Sequence, residues 1–210
     1  MSAVTSEVFY EAFRRFLVKQ LRFYDDPAVV HVGEVSGCLR RAWYNRVFGD
    51  RELRHLAKTK YVVLGLGLST HMVLEEVLRE VGYAVERPLS ADLGGVTLVG
   101  TPDAVNGEHV IEIKTVSKTP QQPYPQHLLQ ANAYMALTGA PQAYIVYINK
   151  RSGDITLHRA TFSERLWRLL KERAATLAKA LATGTPPPPE RGPWCSFCDW
   201  QLKCSLGWEL

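Results

Sequence analysis

Apolar side chains recur at helical spacing in five stretches of the chain, and between them lie short strand-length runs. Val8, Phe9, Phe13, Phe16, Leu17 and Leu21 predict an amphipathic helix over Ser6 to Leu21, ended by the turn at Asp25-Asp26-Pro27. A strand-like run at Val29 to Val32 follows, and Ser36 or Gly37 then opens a basic helix, Cys38 to Phe48, closed by Gly49. A longer helix is expected over Thr59 to Val81, with Val73, Leu74, Val77, Leu78 and Val81 on one side and Gly82 as its stop.

The middle of the chain reads as a meander. Tyr83 to Leu89 and Val96 to Val105 are expected strands around a Gly94-Gly95 turn, and Asn106-Gly107 is a strong hairpin signal that returns Val110 to Thr115 antiparallel. Beyond the loop from Pro120 to Pro125 the pattern predicts a helix over Gln126 to Thr138. A strand pair, Ala143 to Asn149 and Ile155 to Ala160, comes next, and then a long helix from the cap Ser163 to Thr183. Pro186 to Pro189 reads as a semi-rigid spacer before a cysteine-rich tail, Arg191 to Leu210. The expected fold class is α/β, or mixed α+β: a mixed sheet flanked by helices.

Composition narrows the class. With 46% apolar and 22% charged residues, the 210-residue chain can bury a substantial core, which excludes disorder and a fibrous repeat. The longest apolar run, Tyr61 to Leu68, is far short of the ~18 residues of a membrane span. Glu7 and Glu11 in the first turns are unlike a signal peptide, so a cytoplasmic location with no membrane partner is expected. The net charge of +4 is uneven, since Arg40 to Lys60 carries seven basic residues against Asp50 and Glu52. That stretch suggests a polyanion partner, with a solvated helix face as the plain alternative.

The hairpin carries the candidate chemistry. A two-residue loop sets Asp103 opposite Val110 and Thr101 opposite Glu112, so that Asp103, Glu112 and Lys114 share one face within reach of a common cation. A four-residue loop preserves that sharing, whereas a three-residue loop destroys it. Leu98, Ile111 and Ile113 are expected on the opposite face. Such a cluster is costly to bury unless a metal or polar substrate compensates it, although a solvent-exposed salt-bridge cluster is the commoner meaning of so short a pattern. His71 lies at the border of the apolar side of its helix and can point inward. Gln130 and Tyr134, spaced i to i+4, share a helix face.

Four cysteines complete the inventory: Cys38 stands alone, and Cys195, Cys198 and Cys204 fall within ten residues. In a cytosolic chain they read as metal ligands rather than disulfides, and spacing alone favours zinc over a redox pair. Trp43, Trp194, Trp200 and Trp208 lie close to these cysteines in sequence and suggest an apolar shell around the site.

Taken together, Gly67-x-x-x-His71, Gly100-Thr101-Pro102-Asp103, Glu112-Ile113-Lys114 and Gln130-x-x-x-Tyr134 resemble the motifs of the RecB-like nucleases of the PD-(D/E)xK superfamily, in their order. Cys38 with Cys195-x-x-Cys198-x5-Cys204 is similar to the cysteine set of the iron-sulfur branch of that group. The short stand-alone form resembles the CRISPR-associated Cas-four exonucleases.

The resemblance implies a restriction-endonuclease-like mixed sheet. It divides the chain into a nuclease core, residues 1–185, in which the helical stretch 1–82 brings Cys38 and His71, and a segment 186–210 packed with region 36–50. It implies that His71, Asp103, Glu112 and the Ile113 carbonyl hold Mn²⁺ or Mg²⁺, with Lys114 beside the attacking water and Gln130 and Tyr134 positioning DNA. For the cysteines it reverses the preference from zinc to an iron-sulfur cluster, 4Fe-4S over 2Fe-2S. The implied activity is 5′ to 3′ exonuclease action on single-stranded DNA ends, before spacer integration by a CRISPR integrase complex. Arg40 to Lys60, with Trp43 and Tyr44, is expected to grip the phosphate backbone. The chain is also compatible with a homo-oligomer, with a non-catalytic DNA-binding scaffold, and with the nuclease partner of a recombination helicase.

Overall fold

The computed structural model describes residues 5–20 and 24–205. Leu21, Trp208 and the last residues of the tail lie outside the described residues. The chain runs α1 (Ser6–Gln20), β1 (Val29–His31), α2 (Val32–Ser36), α3 (Leu39–Phe48), α4 (Lys58–Glu80), β2 (Ala84–Val85), β3 (Leu89–Asp92), β4 (Thr97–Gly100), β5 (Ala104–Val105) and β6 (His109–Val116). It continues with α5 (Pro125–Thr138), β7 (Gln142–Asn149), β8 (Ile155–Thr161), α6 (Glu164–Thr183), a 3-10 turn (Pro193–Phe197) and α7 (Gln201–Ser205). The mixed α/β class is as expected from the sequence.

The meander differs from its expected form. Each of its first two strands breaks in two: Glu86 takes a left-handed conformation at φ +46° between β2 and β3, and Thr101-Pro102-Asp103 separates β4 from β5. Pro102 has no N–H to continue a ladder, so the chain leaves one sheet there and enters another. The first sheet has the order β1-β4-β3 and the second β2-β5-β6-β7-β8. Leu98 consequently joins the main core rather than the cluster of Ile111 and Ile113.

In the second sheet β6 and β7 are parallel, joined by α5 as crossover helix. Gly139, at φ +75°, supplies the left-handed residue that ends α5. On one face of β6 and β7 lies α5, with Leu129, Ala133 and Tyr134 packed in one core with Val110, Ala143, Ile145 and Tyr147. On the other face Leu74 and Leu78 of α4 pack against Ala104, Ile111 and Ile113. Only some of the predicted apolar side of α4 faces inward, because Val73, Val77 and Val81 are exposed. By length and composition α4 could cross a membrane, yet here it is the helix that brings His71 to the sheet.

A polar hub ties the tail to the body. Arg173 of α6 donates to the carbonyls of Val35 (2.6 Å) and Gly37 and pairs with Glu190. Glu190 in turn accepts the first N–H of α3, from Leu39, at 2.7 Å, which is a favourable place for a carboxylate. Pro186 and Pro187 are buried, and Arg40 donates to the Pro187 carbonyl at 2.6 Å, so the proline segment is a packed strap rather than a free spacer. Further along, Trp200 stacks on Tyr44 and His55 and donates to Asn45 Oδ1 at 2.6 Å.

Replacing Arg173 by Ala leaves a partly buried carboxylate and two carbonyls without their donor. The expected cost is about 3 kcal/mol in denaturant unfolding, with faster hydrogen exchange confined first to 186–205 and the start of α3. Unchanged stability would show that the hub is not what holds the strap.

Candidate active site

The hairpin closes through a four-residue loop, with Val105 opposite Val110 and Asn106 N–H donating to the His109 carbonyl at 3.2 Å. The shift of register from the expected two-residue loop is even, so the side-chain alternation survives, and Asp103 comes level with Glu112 rather than diagonal to it. Strand pairing stops at Ala104, and Asp103 uses its side chain instead: Oδ2 accepts the Ile113 N–H at 2.5 Å. In an extended strand the N–H and C=O of one residue point to the same side, so the Ile113 carbonyl faces this same edge.

Two helices complete the edge. His71 Nδ1 of α4 lies 3.1 Å from Asp103 Oδ1, so the histidine does point inward. Glu112 and Lys114 share the α5 face of β6, and Lys114 Nζ donates to Glu112 Oε1 at 2.5 Å. The other carboxylate oxygen, Glu112 Oε2, is buried without a partner among the described residues. Tyr134 is buried beside them, its hydroxyl near the Gln130 side chain and the Thr101 backbone. Gly100 makes room for that ring: a Cβ there would lie 2.7 Å from Tyr134 Cε1 and 2.8 Å from Val32 Cγ2.

Glu75 is a site residue that the sequence reading misses, although its i to i+4 spacing from His71 on α4 is a usable signal. One ligand atom each from His71, Glu75 and Asp103 falls within a 4.8 Å cluster. Of the predicted residues, His71 and Asp103 meet directly and Asp103 holds the Ile113 N–H, while Glu112 and Lys114 pair with each other on the same strand outside that three-residue cluster, next to Tyr134 and Gln130 of α5.

The electrostatics follow from burial. Glu112, at 2% exposure, is held well above the ordinary carboxylate range by loss of solvent, with the Asp103 charge adding to the effect against Lys114. Burial opposes the Lys114 ammonium, but the Glu112 and Asp103 carboxylates outweigh it and raise its pKa. His71 shows the same balance, raised by Asp103 against burial. Glu75 is raised by burial and by the neighbouring Glu86 and Asp103 carboxylates.

This donor set fits a divalent cation. Carboxylate oxygens, a backbone carbonyl and one imidazole suit Mg²⁺ or Mn²⁺, and an orphaned buried carboxylate oxygen is the kind of group that a cation satisfies.

Two other expectations need correction. Trp43 and Tyr44 are buried in the core, and Trp43 Nε1 donates to the Ala180 carbonyl at 3.0 Å, so neither can grip DNA. Arg46 pairs with Glu34 at 2.6 Å, and Arg51, Lys58 and Lys60 pair with Asp25, Glu7 and Asp199. The basic stretch is therefore largely engaged in joining separate elements of the fold.

The four cysteines are free and half-buried around the junction of α3 with the tail. They do not form a compact cluster: among the described residues no three of their sulfurs come within 4.8 Å of one another. Cys38 opens α3, where burial raises its thiol pKa, and Cys195 accepts the Gly192 N–H at 3.4 Å. Of the tryptophans near them, Trp200 packs on the core, while Trp194 is 41% exposed.

The fold has relatives among solved structures. The fold is similar to the crystal structure of SSO0001, with a TM-score of 0.71 and 21% identity over 97% of this chain and 98% of that one. It is also similar to the alkaline exonuclease LHK-Exo from Laribacter hongkongensis, at a TM-score of 0.50 and 16% identity over 76% and 90% of the two chains. A phage related exonuclease from Haemophilus somnus 129PT gives a TM-score of 0.50 and 13% identity over 80% and 97%. No curated protein matches the chain. The profile of the PD-(D/E)XK nuclease superfamily matches residues 16–205. That span takes in both sheets and every residue of the edge, and the chain belongs to the PD-(D/E)XK nuclease superfamily.

Proposed function

We propose that this nuclease is a DNA exonuclease that trims single-stranded ends 5′ to 3′ and acts before spacer integration by a CRISPR integrase complex. The observation that carries the active-site reading is the buried, unpartnered Glu112 Oε2 on the strand position level with Asp103, whose other contact is His71. Polarity and the CRISPR role rest on the order of the motifs and on the cysteine spacing.

His71, Asp103, Glu112 and the Ile113 carbonyl would hold Mn²⁺ or Mg²⁺. The cation supplies Lewis-acid polarisation of the scissile phosphate and lowers the pKa of bound water. Lys114, kept charged by Glu112, orients the attacking water and offsets charge developing on phosphate oxygens. Asp103 does double duty, since its second oxygen fixes the Ile113 backbone and so the carbonyl of that residue. Gln130, beside the buried Tyr134 hydroxyl, would position the DNA backbone with it.

For the cysteines, we read an iron-sulfur cluster, with 4Fe-4S favoured, in a segment 186–210 that packs on 36–50 beside the core 1–185. Free thiols at the start of α3 and in the tail, and an N–H donated to the Cys195 sulfur, suit thiolate ligation.

Asp103→Ala, Glu112→Ala and Lys114→Ala should each lower cleavage of end-labelled single-stranded DNA by about a thousand-fold or more in Mn²⁺, with circular dichroism unchanged. Retained cleavage in all three would remove this edge from consideration. Mn²⁺ at a hundred times its Kd should stabilise the wild type by about 2.7 kcal/mol, and Glu112→Ala should abolish that gain. Anaerobically purified protein should absorb in the visible and lose the band in Cys195→Ala. A colourless protein with stoichiometric zinc would overturn the cluster.

A further inference from the structure

Leading away from the carboxylates, one face of α5 carries Tyr134, Gln130 and His127, at helical spacing, with Tyr124 as the residue that caps the helix. Exposure rises along that row. Tyr134 is 1% exposed, Gln130 and His127 are intermediate, and Tyr124 is 42% exposed. The row therefore runs from the buried edge out to the surface past Lys114, whose strand partner is Tyr147.

Tyr124 is a fixed backbone with a bare ring. It lies between Pro123 and Pro125, which restricts it to the extended conformation seen, φ −63° and ψ 141°. Its N–H donates to the Tyr147 hydroxyl at 3.1 Å, and its carbonyl accepts from His127 N–H at 2.9 Å and Leu128 N–H at 3.1 Å. Its ring meets His127 and Tyr147 nearly at right angles, 82° and 89°, and among the described residues no ring lies parallel on it. An aromatic ring so exposed contributes little to the core while its main chain is tightly held. It is the kind of preorganised platform on which an unpaired base stacks.

The neighbouring histidine is equally constrained. The buried Tyr147 hydroxyl accepts the Tyr124 N–H, and among the described residues its own hydrogen has no acceptor but His127 Nδ1, 2.7 Å away, so it donates there. That assigns the imidazole proton to Nε2. Burial and the Lys114 charge push the His127 pKa down to about 3, so the ring stays a neutral donor. No hydrogen bond of Nε2 is used within the fold among the described residues.

We propose that Tyr124 and His127 form a nucleotide subsite next to the active edge. Tyr124 stacks on the unpaired base flanking the scissile phosphate, and His127 Nε2–H donates to an acceptor of that same nucleotide. The subsite rests on the nuclease reading and deepens it: a paired base cannot offer its face to Tyr124, so the subsite selects a single strand.

The test is binding of fluorescein-labelled single-stranded oligonucleotides in EDTA, with an abasic residue scanned through the three terminal positions of each end. One abasic position should weaken the wild type about ten-fold. Tyr124→Ala should bind the intact strand about ten-fold more weakly and be indifferent to that abasic position, whereas Tyr124→Trp should bind like the wild type. His127→Ala should weaken binding several-fold. Mn²⁺ binding by each variant should match the wild type, which keeps a folding defect from passing as the effect. Equal binding by Tyr124→Ala and the wild type, or the same abasic penalty in both, would overturn the subsite while leaving the nuclease reading standing. A wild type that neither binds nor cleaves single strands would overturn both.

Discussion

The carboxylate of Glu112 lies inside the protein in the middle of a strand, and one of its oxygens has no partner among the described residues. Placing a carboxylate there costs several kcal/mol unless charge and hydrogen bonds compensate it. Lys114 answers one oxygen, and the second is left without a partner on the strand position level with Asp103, which itself meets His71. The fold around β6 can be understood as the means of holding this charge in a defined, incompletely satisfied state. A site left in that condition favours whatever cation supplies the missing contact.

The scaffold achieves this by ending one strand early. Pro102 interrupts the ladder, so β5 pairs with β6 for two residues only, and the Asp103 side chain then takes over the hydrogen bond that a strand would have made. That substitution leaves the edge of β6 open beside Ile113 and brings both faces of the sheet into play. From one face α4 sends His71 and Glu75 to the edge; on the other, α5 closes over Glu112 and Lys114 and extends the site outward through Gln130, His127 and Tyr124.

Much of this was legible in the sequence. Alternation along Ile111-Glu112-Ile113-Lys114 put the two charged residues on one face, and the even parity of the hairpin loop kept Asp103 in line although the loop has four residues rather than two. The breaks at Glu86 and at Pro102 were harder to read, because local alternation continues through both while the sheet to which each half belongs is decided by tertiary pairing. The basic stretch misled for a related reason: the ion-pair partners of Arg51, Lys58 and Lys60 are 26 to 139 residues away, beyond any local pattern. Tyr124 passed as a loop residue, since its meaning depends on Tyr147 holding its backbone from a different strand.

If the unsatisfied edge at Glu112 is a cation site, manganese will occupy it. Crystals of the protein soaked in Mn²⁺ and measured at the manganese absorption edge test it directly. One strong anomalous peak is expected about 2.2 Å from oxygens of Asp103 and Glu112, from the Ile113 carbonyl and from a His71 nitrogen. Manganese bound only elsewhere, with Glu112 Oε2 still unpartnered, would contradict it.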